Sequence, residues 1–310
     1  MKKFFLSCAV LFLFSFNFIS CEYGIDEAFH RIDEVSKRSL SLLDLANDTD
    51  SLNKGVAVPS VSSSKFSVLF FTDIHFGRNK KGENCRYENE FFQYFEEHKA
   101  ELETYGTSSY PFAFAISGGD NVEHGYKDEY ISYNDFCSSF ETKFDLKTYS
   151  VVGNHDLFNS GWTNYKTYCY PYTSSYFFKT SYGENSIDWI FLDSGNGTLG
   201  HKQLSSLKDI LRSSNRKKIV ITHYPLYSGG VFYFTMQNVI ERDTLISYFC
   251  KSNVSILVDG HKHSGGQWDF SSYFHEENVK SFLDYTTFAV IYVDLNANSV
   301  NMISVDYKND

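Results

Sequence analysis

The sequence predicts an α/β (α+β) domain in which helices pack outside a largely buried sheet system. Three observations predict it. Strand-like and helix-like segments alternate from residue 66 to residue 259. Strand-like segments then dominate the tail, from about 268 to 306. Five short polar clusters each sit where a strand should run out into a loop, and open α/β sheets place their ligands beyond the carboxyl ends of strands.

Apolar, β-prone runs mark the strands. A strand over 66–72 carries the run Val68 to Phe71. A helix near 87–104 leads to a strand over 111–117, with the run Phe112 to Ile116. A helix near 128–143 leads to a strand over 148–152, with Tyr149 to Val152. Two strands follow near 175–181 and 187–193. A helix at about 201–213 precedes a strand over 217–222, marked by Ile219 to Ile221. A helix near 239–251 precedes a strand over 254–259, marked by Val254 to Val258. In the tail, Gln267 to Tyr273, Thr287 to Val293 and Val300 to Val305 read as strands.

Residues 65–310 form this domain, and what precedes them is different in kind. Met1-Lys2-Lys3, the apolar stretch Phe4 to Phe18 and then Ile19-Ser20-Cys21 describe a secretory signal over residues 1–20. The apolar stretch is shorter than the roughly 20 residues of a membrane span. Phe18-Ile19-Ser20-Cys21 resembles a bacterial lipoprotein signal, with Phe18 where Leu is usual. That resemblance implies a lipid on Cys21 and an exported protein held on a membrane surface, in the periplasm or at the cell surface. Ordinary cleavage and an uncleaved anchor helix are the alternatives. Residues 21–64 read as a helix, with Ile25, Phe29, Ile32 and Val35 on one face, followed by the polar linker Asn47 to Ser64.

A net charge of −10 lacks the electrostatic footprint of a nucleic-acid binder. The basic cluster Arg212 to Lys218 reads as a solvated helix end and strand start. With 30 Phe, 23 Tyr and only 4 Pro, most of the chain has the means to build a core, which excludes extended disorder. Once Cys8 leaves with the signal and Cys21 is set aside, Cys85, Cys137, Cys169 and Cys250 remain, in no zinc spacing. They are either buried thiols or one or two disulfides.

The polar clusters carry the chemistry. Asp73-Ile74-His75 offers an oxygen and a nitrogen at i and i+2, which on an extended segment point to the same side. Gly118-Gly119-Asp120-Asn121 sets a carboxylate after two glycines, where its two oxygens can bridge two cations. Gly153-Asn154-His155-Asp156 offers an amide oxygen and an imidazole, with Asp156 placed to orient His155 through its N–H. His223 ends a strand, and Gly260-His261-Lys262-His263 again gives i and i+2, with both imidazoles on one side and Lys262 on the other. Singly, each cluster has a bland reading as a turn or a surface histidine. Together they hold five of the ten histidines, all at strand ends.

In these clusters the chain resembles the calcineurin-like metallophosphoesterases, whose pattern is D-x-H, G-D, G-N-H-[DE], H and G-H-x-H. The match runs from Asp73 to His263. The resemblance implies a four-layer fold, two mixed β-sheets face to face with helices outside. It implies two divalent metal ions, Mn, Fe, Zn or Co, since mixed N/O donors suit them all. One would take Asp73, His75, Asp120 and His263, and the second Asp120, Asn154, His223 and His261. His155, with Asp156 behind it, would be the catalytic non-ligand that helps the transition state or protonates the leaving oxygen. The implied activity is hydrolysis of phosphate mono- or diesters by a water activated between two cations. Gly119-Asp120-Asn121 also looks like the acid phosphatase branch. Glu123 stands where a purple iron enzyme has Tyr, and His75 where such an enzyme lacks His, so the broader phosphatase and phosphodiesterase group fits better. The substrate is expected to be a small phosphorylated molecule; His124, Trp162 and the aromatics Tyr224, Tyr227, Phe232, Tyr233 and Phe234 are candidate contacts, though His124 reads first as a surface histidine and the aromatics first as packing of an ordered loop. Two other readings share the motifs: a surface lipoprotein that binds without cleaving, and an exported nuclease.

Overall fold

Side-chain alternation decides the layers. In β1 (Lys65–Phe71), Phe66, Val68 and Phe70 join one core while Leu69 and Phe71 join another, so the strand is buried on both faces. That double burial is why its sequence is a near-continuous apolar run rather than a polar–apolar alternation. The protein is represented by a computed structural model that describes residues 53, 55–78, 87–227, 234–236 and 238–308. The expected signal, the helix at residues 25–35 and the linker up to residue 52 lie outside the described residues.

After β1 come α1 (Tyr87–Leu102), a small hairpin of β2 (Thr104–Tyr105) and β3 (Ser108–Ser109), then β4 (Phe112–Ser117), α2 (Lys127–Phe144) and β5 (Thr148–Ser150). A 3₁₀ turn (His155–Ser160) and α3 (Gly161–Tyr168) lead to β6 (Tyr176–Tyr182) and β7 (Asn185–Phe191). Then follow α4 (Gly200–Arg212), β8 (Lys218–Ile221), α5 (Val239–Lys251), β9 (Val254–Asp259), β10 (Gly266–Phe270) and β11 (Phe274–Asn278). The chain ends with α6 (Phe282–Tyr285), β12 (Thr287–Asp294) and β13 (Ser299–Asp306).

Two mixed sheets result. One runs β13-β12-β1-β4-β5, with β1, β4 and β5 parallel. The other runs β10-β11-β9-β8-β7-β6, with β7, β8, β9 and β11 parallel and antiparallel strands at both edges. Phe66, Val68, Phe70, Phe114 and Ile116 of the first sheet meet Trp189, Phe191, Ile219, Ile221 and Val258 of the second in a central core. Phe91 and Phe95 of α1, with Phe136 and Phe140 of α2, cover the outer face of the first sheet. Leu207 and Ile210 of α4, with Leu245 and Phe249 of α5, cover the outer face of the second. The order helix, sheet, sheet, helix is the four-layer α/β arrangement that the sequence resemblance implied.

Some expectations need correcting. The strand-dominated tail is interrupted by α6. Gln267 to Tyr273 is not one strand, because a turn with Ser271 at φ 57° joins β10 to β11. Lys218 is buried rather than solvated, its Nζ donating to Ser214 O and Arg216 O at 2.8 Å each. Cys137, Cys169 and Cys250 form no disulfide with one another, and Cys85 lies outside the described residues.

Candidate metal centre

All five polar clusters follow the carboxyl ends of parallel strands, β1, β4 and β5 in one sheet and β8 and β9 in the other. Beyond these ends the loops of the first two clusters stay zipped together: Asp73 N donates to Gly119 O and His75 N to Asp120 O, each at 3.0 Å. The two sheets are tied across the site, with His223 Nδ1 2.9 Å from Gly118 O and His261 N donating to Asp73 Oδ2 at 3.1 Å.

The backbone turns sharply to aim the ligands. Asp73, His75, Asp120, His261 and His263 all have positive φ, between 50° and 67°. Asp and His tolerate this region better than most residues, yet each such residue costs on the order of 1 kcal/mol. The extended i, i+2 geometry expected from the sequence is therefore absent. Asp73 and His75 do face one group, but His261 and His263 are divided between two. Close packing reinforces the turns: a Cβ on Gly119, at φ +104°, would stand 2.6 Å from His223 Nδ1, and one on Gly260 2.1 Å from Thr72 Oγ1.

The first group gathers Asp73, His75 and His263. His75 Nε2 lies 3.3 Å from His263 Nε2, and Asp73 Oδ1 lies 3.3 Å from His263 Nε2 and 4.0 Å from His75 Nε2. Asp73 Oδ2 accepts from Thr72 Oγ1 and His261 N. Asp73 Oδ1 is buried and accepts no hydrogen bond among the described residues. The second group gathers Asp120, His223 and His261, with Asn154 Oδ1 3.3 Å from His223 Nε2. Asp120 stands between the two groups, its Oδ2 3.3 Å from His223 Nε2 and 3.9 Å from His75 Nε2.

The donor set fits divalent cations. A carbonyl only accepts, so Gly118 O fixes the proton of neutral His223 on Nδ1 and leaves a lone pair on Nε2, the atom turned to Asn154 and Asp120. Buried Asp73 Oδ1, turned toward His263 Nε2 and His75 Nε2, is a carboxylate oxygen among imidazole nitrogens, the polarity a cation would satisfy. Burial works to raise Asp120, yet His223, His155 and His75 hold its carboxyl well below the usual range. Asp73 is likewise lowered against burial, chiefly by His263.

His155 is buried beside these groups, its ring edge-on to His75 at 4.7 Å between centroids. Its Nδ1 lies 2.8 Å from Glu123 O. Asp156 does not take the orienting role expected of it. Its Oδ1 accepts from Asn121 N and Val122 N, and its Oδ2 from Asn121 Nδ2 and Gly153 N, at 2.8–3.1 Å. It holds the second and third clusters in register, and burial with the Asp120 charge pushes it up to about 7.

Two functional candidates escaped the sequence reading. Glu123 Oε2 stands 2.7 Å from His75 Nδ1 and 3.7 Å from His155 Nδ1. Against burial, His75, His155 and Arg78 hold Glu123 down at about 2. Its one mark in the sequence is an acid three residues after Asp120, where a purple iron enzyme has Tyr. Asp284, on α6, stands 2.6 Å from His263 Nδ1, and nothing in its sequence surroundings marks it.

The proposed substrate contacts separate. His124 is half-exposed, and its Nδ1 lies 2.8 Å from Glu129 Oε1, which raises its pKa. Tyr224 is buried and packs on His261 at 3.8 Å, so it belongs to the ligand's support rather than to a surface. Trp162 packs against the outer core and Tyr165. Tyr227 is exposed and meets Trp268 edge-on at 5.5 Å, while Phe232 and Tyr233 lie outside the described residues.

A family model described as calcineurin-like phosphoesterase matches residues 66–265. A dimetal phosphatase from Danio rerio is similar in structure, with a TM-score of 0.55 at 14% identity, covering 74% of this chain and 92% of that one. A 5'-nucleotidase from Candida albicans follows at a TM-score of 0.51 and 13% identity, covering 84% of this chain and 54% of that one. At such identities the likeness speaks for the fold alone. Comparison with curated proteins gives no match.

Proposed function

The chain belongs to the calcineurin-like phosphoesterase family, and from that premise we propose that it hydrolyses phosphate mono- or diesters of small molecules. The observation that carries the reading is the convergence of two N/O donor groups on shared Asp120, with His155 alongside. Asp73, His75, Asp120 and His263 would hold one cation, and Asp120, Asn154, His223 and His261 the second. Bound there, two divalent cations supply positive charge for a phosphoryl group and the Lewis acidity that activates water.

The chain's own residues do the rest. Asp120 spaces the two donor groups. His155 keeps Nδ1 on Glu123 O, which leaves Nε2 as the atom to carry a proton to the departing oxygen. The Glu123 carboxylate stands 3.7 Å from that Nδ1. A net charge of −10 favours a small phosphorylated substrate over a nucleic acid. Export, with a lipid on Cys21 placing the domain on a membrane surface, completes the proposal. Among the described residues no helix is long and apolar enough to cross a membrane.

The test compares p-nitrophenyl phosphate with bis-p-nitrophenyl phosphate across Mn²⁺, Fe²⁺, Zn²⁺ and Co²⁺, on membrane and soluble fractions of wild type and Cys21→Ser. Turnover of at least one ester, lost with chelator and released from the membrane by Cys21→Ser, is expected. No turnover of either ester with any cation would leave a binding protein instead.

A further inference from the structure

Beyond the matched segment, the turn Ser281 to Asp284 docks on two loops at once. Ser281 N donates to His263 O at 2.8 Å, Phe282 N to Thr72 O at 2.9 Å and Leu283 N to Asp73 O at 3.3 Å. Ser281 Oγ donates to Asp73 O and accepts from Asp284 N, each at 3.1 Å. The turn is anchored from below, because Phe282 is buried against Phe71 and Phe91 at 5.9 and 5.1 Å. Its other end delivers Asp284 Oδ2 to His263 Nδ1 at 2.6 Å. Arg78 Nη1 stands 3.7 Å from the same oxygen. One rigid turn thus fixes the backbone of both Asp73 and His263 and the ring of His263.

We infer that Asp284 is a positioning residue that acts through His263 to retain the cation of the Asp73, His75 and His263 group. The inference rests on the two-cation reading above and extends it to a residue that the motifs omit. A carboxylate behind an imidazole fixes the Nδ1–H tautomer, holds the ring plane and strengthens the Nε2 donor. The competing account makes Asp284 a structural cap whose loss costs stability alone. The two differ in what metal titration reads.

Wild type, Asp284→Ala and Asp284→Asn, stripped with chelator, would be titrated with Mn²⁺ in a calorimeter and melted without metal. Two binding events are expected in wild type. Asp284→Ala should weaken one of them by about 10–100-fold and leave the other nearly unchanged. Asp284→Asn should lose less, because an amide oxygen still accepts the Nδ1–H. If Asp284→Ala does not fold, Asp284→Asn against wild type carries the test. Equal weakening of both events, or unchanged constants with a lower metal-free melting temperature, overturns the inference and leaves the hydrolase reading intact. Where wild type binds no Mn²⁺ the titration is repeated with Zn²⁺, Fe²⁺ and Co²⁺, and a wild type that binds none of the four sinks both.

Discussion

The two donor groups are built from similar residues but supported in opposite ways. In the first, both imidazoles are backed by carboxylates, His75 by Glu123 at 2.7 Å and His263 by Asp284 at 2.6 Å, and Asp73 adds a third charge. In the second, His223 is backed by the neutral carbonyl of Gly118, Asn154 brings no charge, and Tyr224 covers His261 with an aromatic face at 3.8 Å. The first group thus carries its own negative charge, while the second borrows nearly all of its charge from Asp120. Attraction to a cation follows local charge, and burial lowers the effective dielectric that would screen it. Support of the ligands, more than their identity, makes the two halves unequal.

Removing the shared residue should give the largest effect. Asp120→Ala is expected to abolish hydrolysis and weaken both cations, the second group more, since that group has no other carboxylate. Metal content by mass spectrometry after dialysis checks it. Two cations still bound with full turnover would end the bridging assignment, and equal loss of both cations would end the asymmetry.

His155 tests the same comparison from outside, because it belongs to neither group. His155→Ala should keep both cations and lower turnover by about 10²–10⁴-fold, the usual range for acid–base assistance. Loss of a cation in this variant would make His155 a ligand and redraw the first group.

Much of this is legible in the sequence. The elements at the five strand ends stand within a few residues of their expected places, because double burial writes continuous apolar runs and polar clusters end them. The seven expected ligands and His155 all converge. What stayed hidden is the support. Asp156 sits beside His155 in sequence, but the backbone N–H groups of Asn121, Val122 and Gly153 claim its carboxylate instead. Glu123 and Asp284 act through tertiary approach, and a four-residue helix such as α6 leaves no periodic trace. Left-handed backbone, not an extended strand, carries both i, i+2 pairs; Asp73 and His75 still share a group, while His261 and His263 part between two.

The smallest effect, and the finest probe of the first group, is its proton. His75 Nε2 and His263 Nε2 are 3.3 Å apart, so both rings cannot carry charge at once. Burial lowers His75 despite Glu123, whereas Asp73 and Asp284 overcome burial and push His263 up to about 10. In metal-free protein near pH 7, His263 therefore holds a proton that a cation must displace. Metal binding should release protons, read as a dependence of calorimetric enthalpy on buffer ionisation heat, and affinity should rise with pH. The linkage has a definite sign without metal as well. A folded-state pKa above the unfolded value of about 6.5 contributes stability that is complete below about 6.5 and lost as pH rises through about 10. Chelated wild type should melt at a lower temperature at pH 9.5 than at pH 7, and His263→Ala should flatten that slope. An unchanged slope in the variant would place the titrating proton elsewhere, and with it the charge that sets the first group apart from the second.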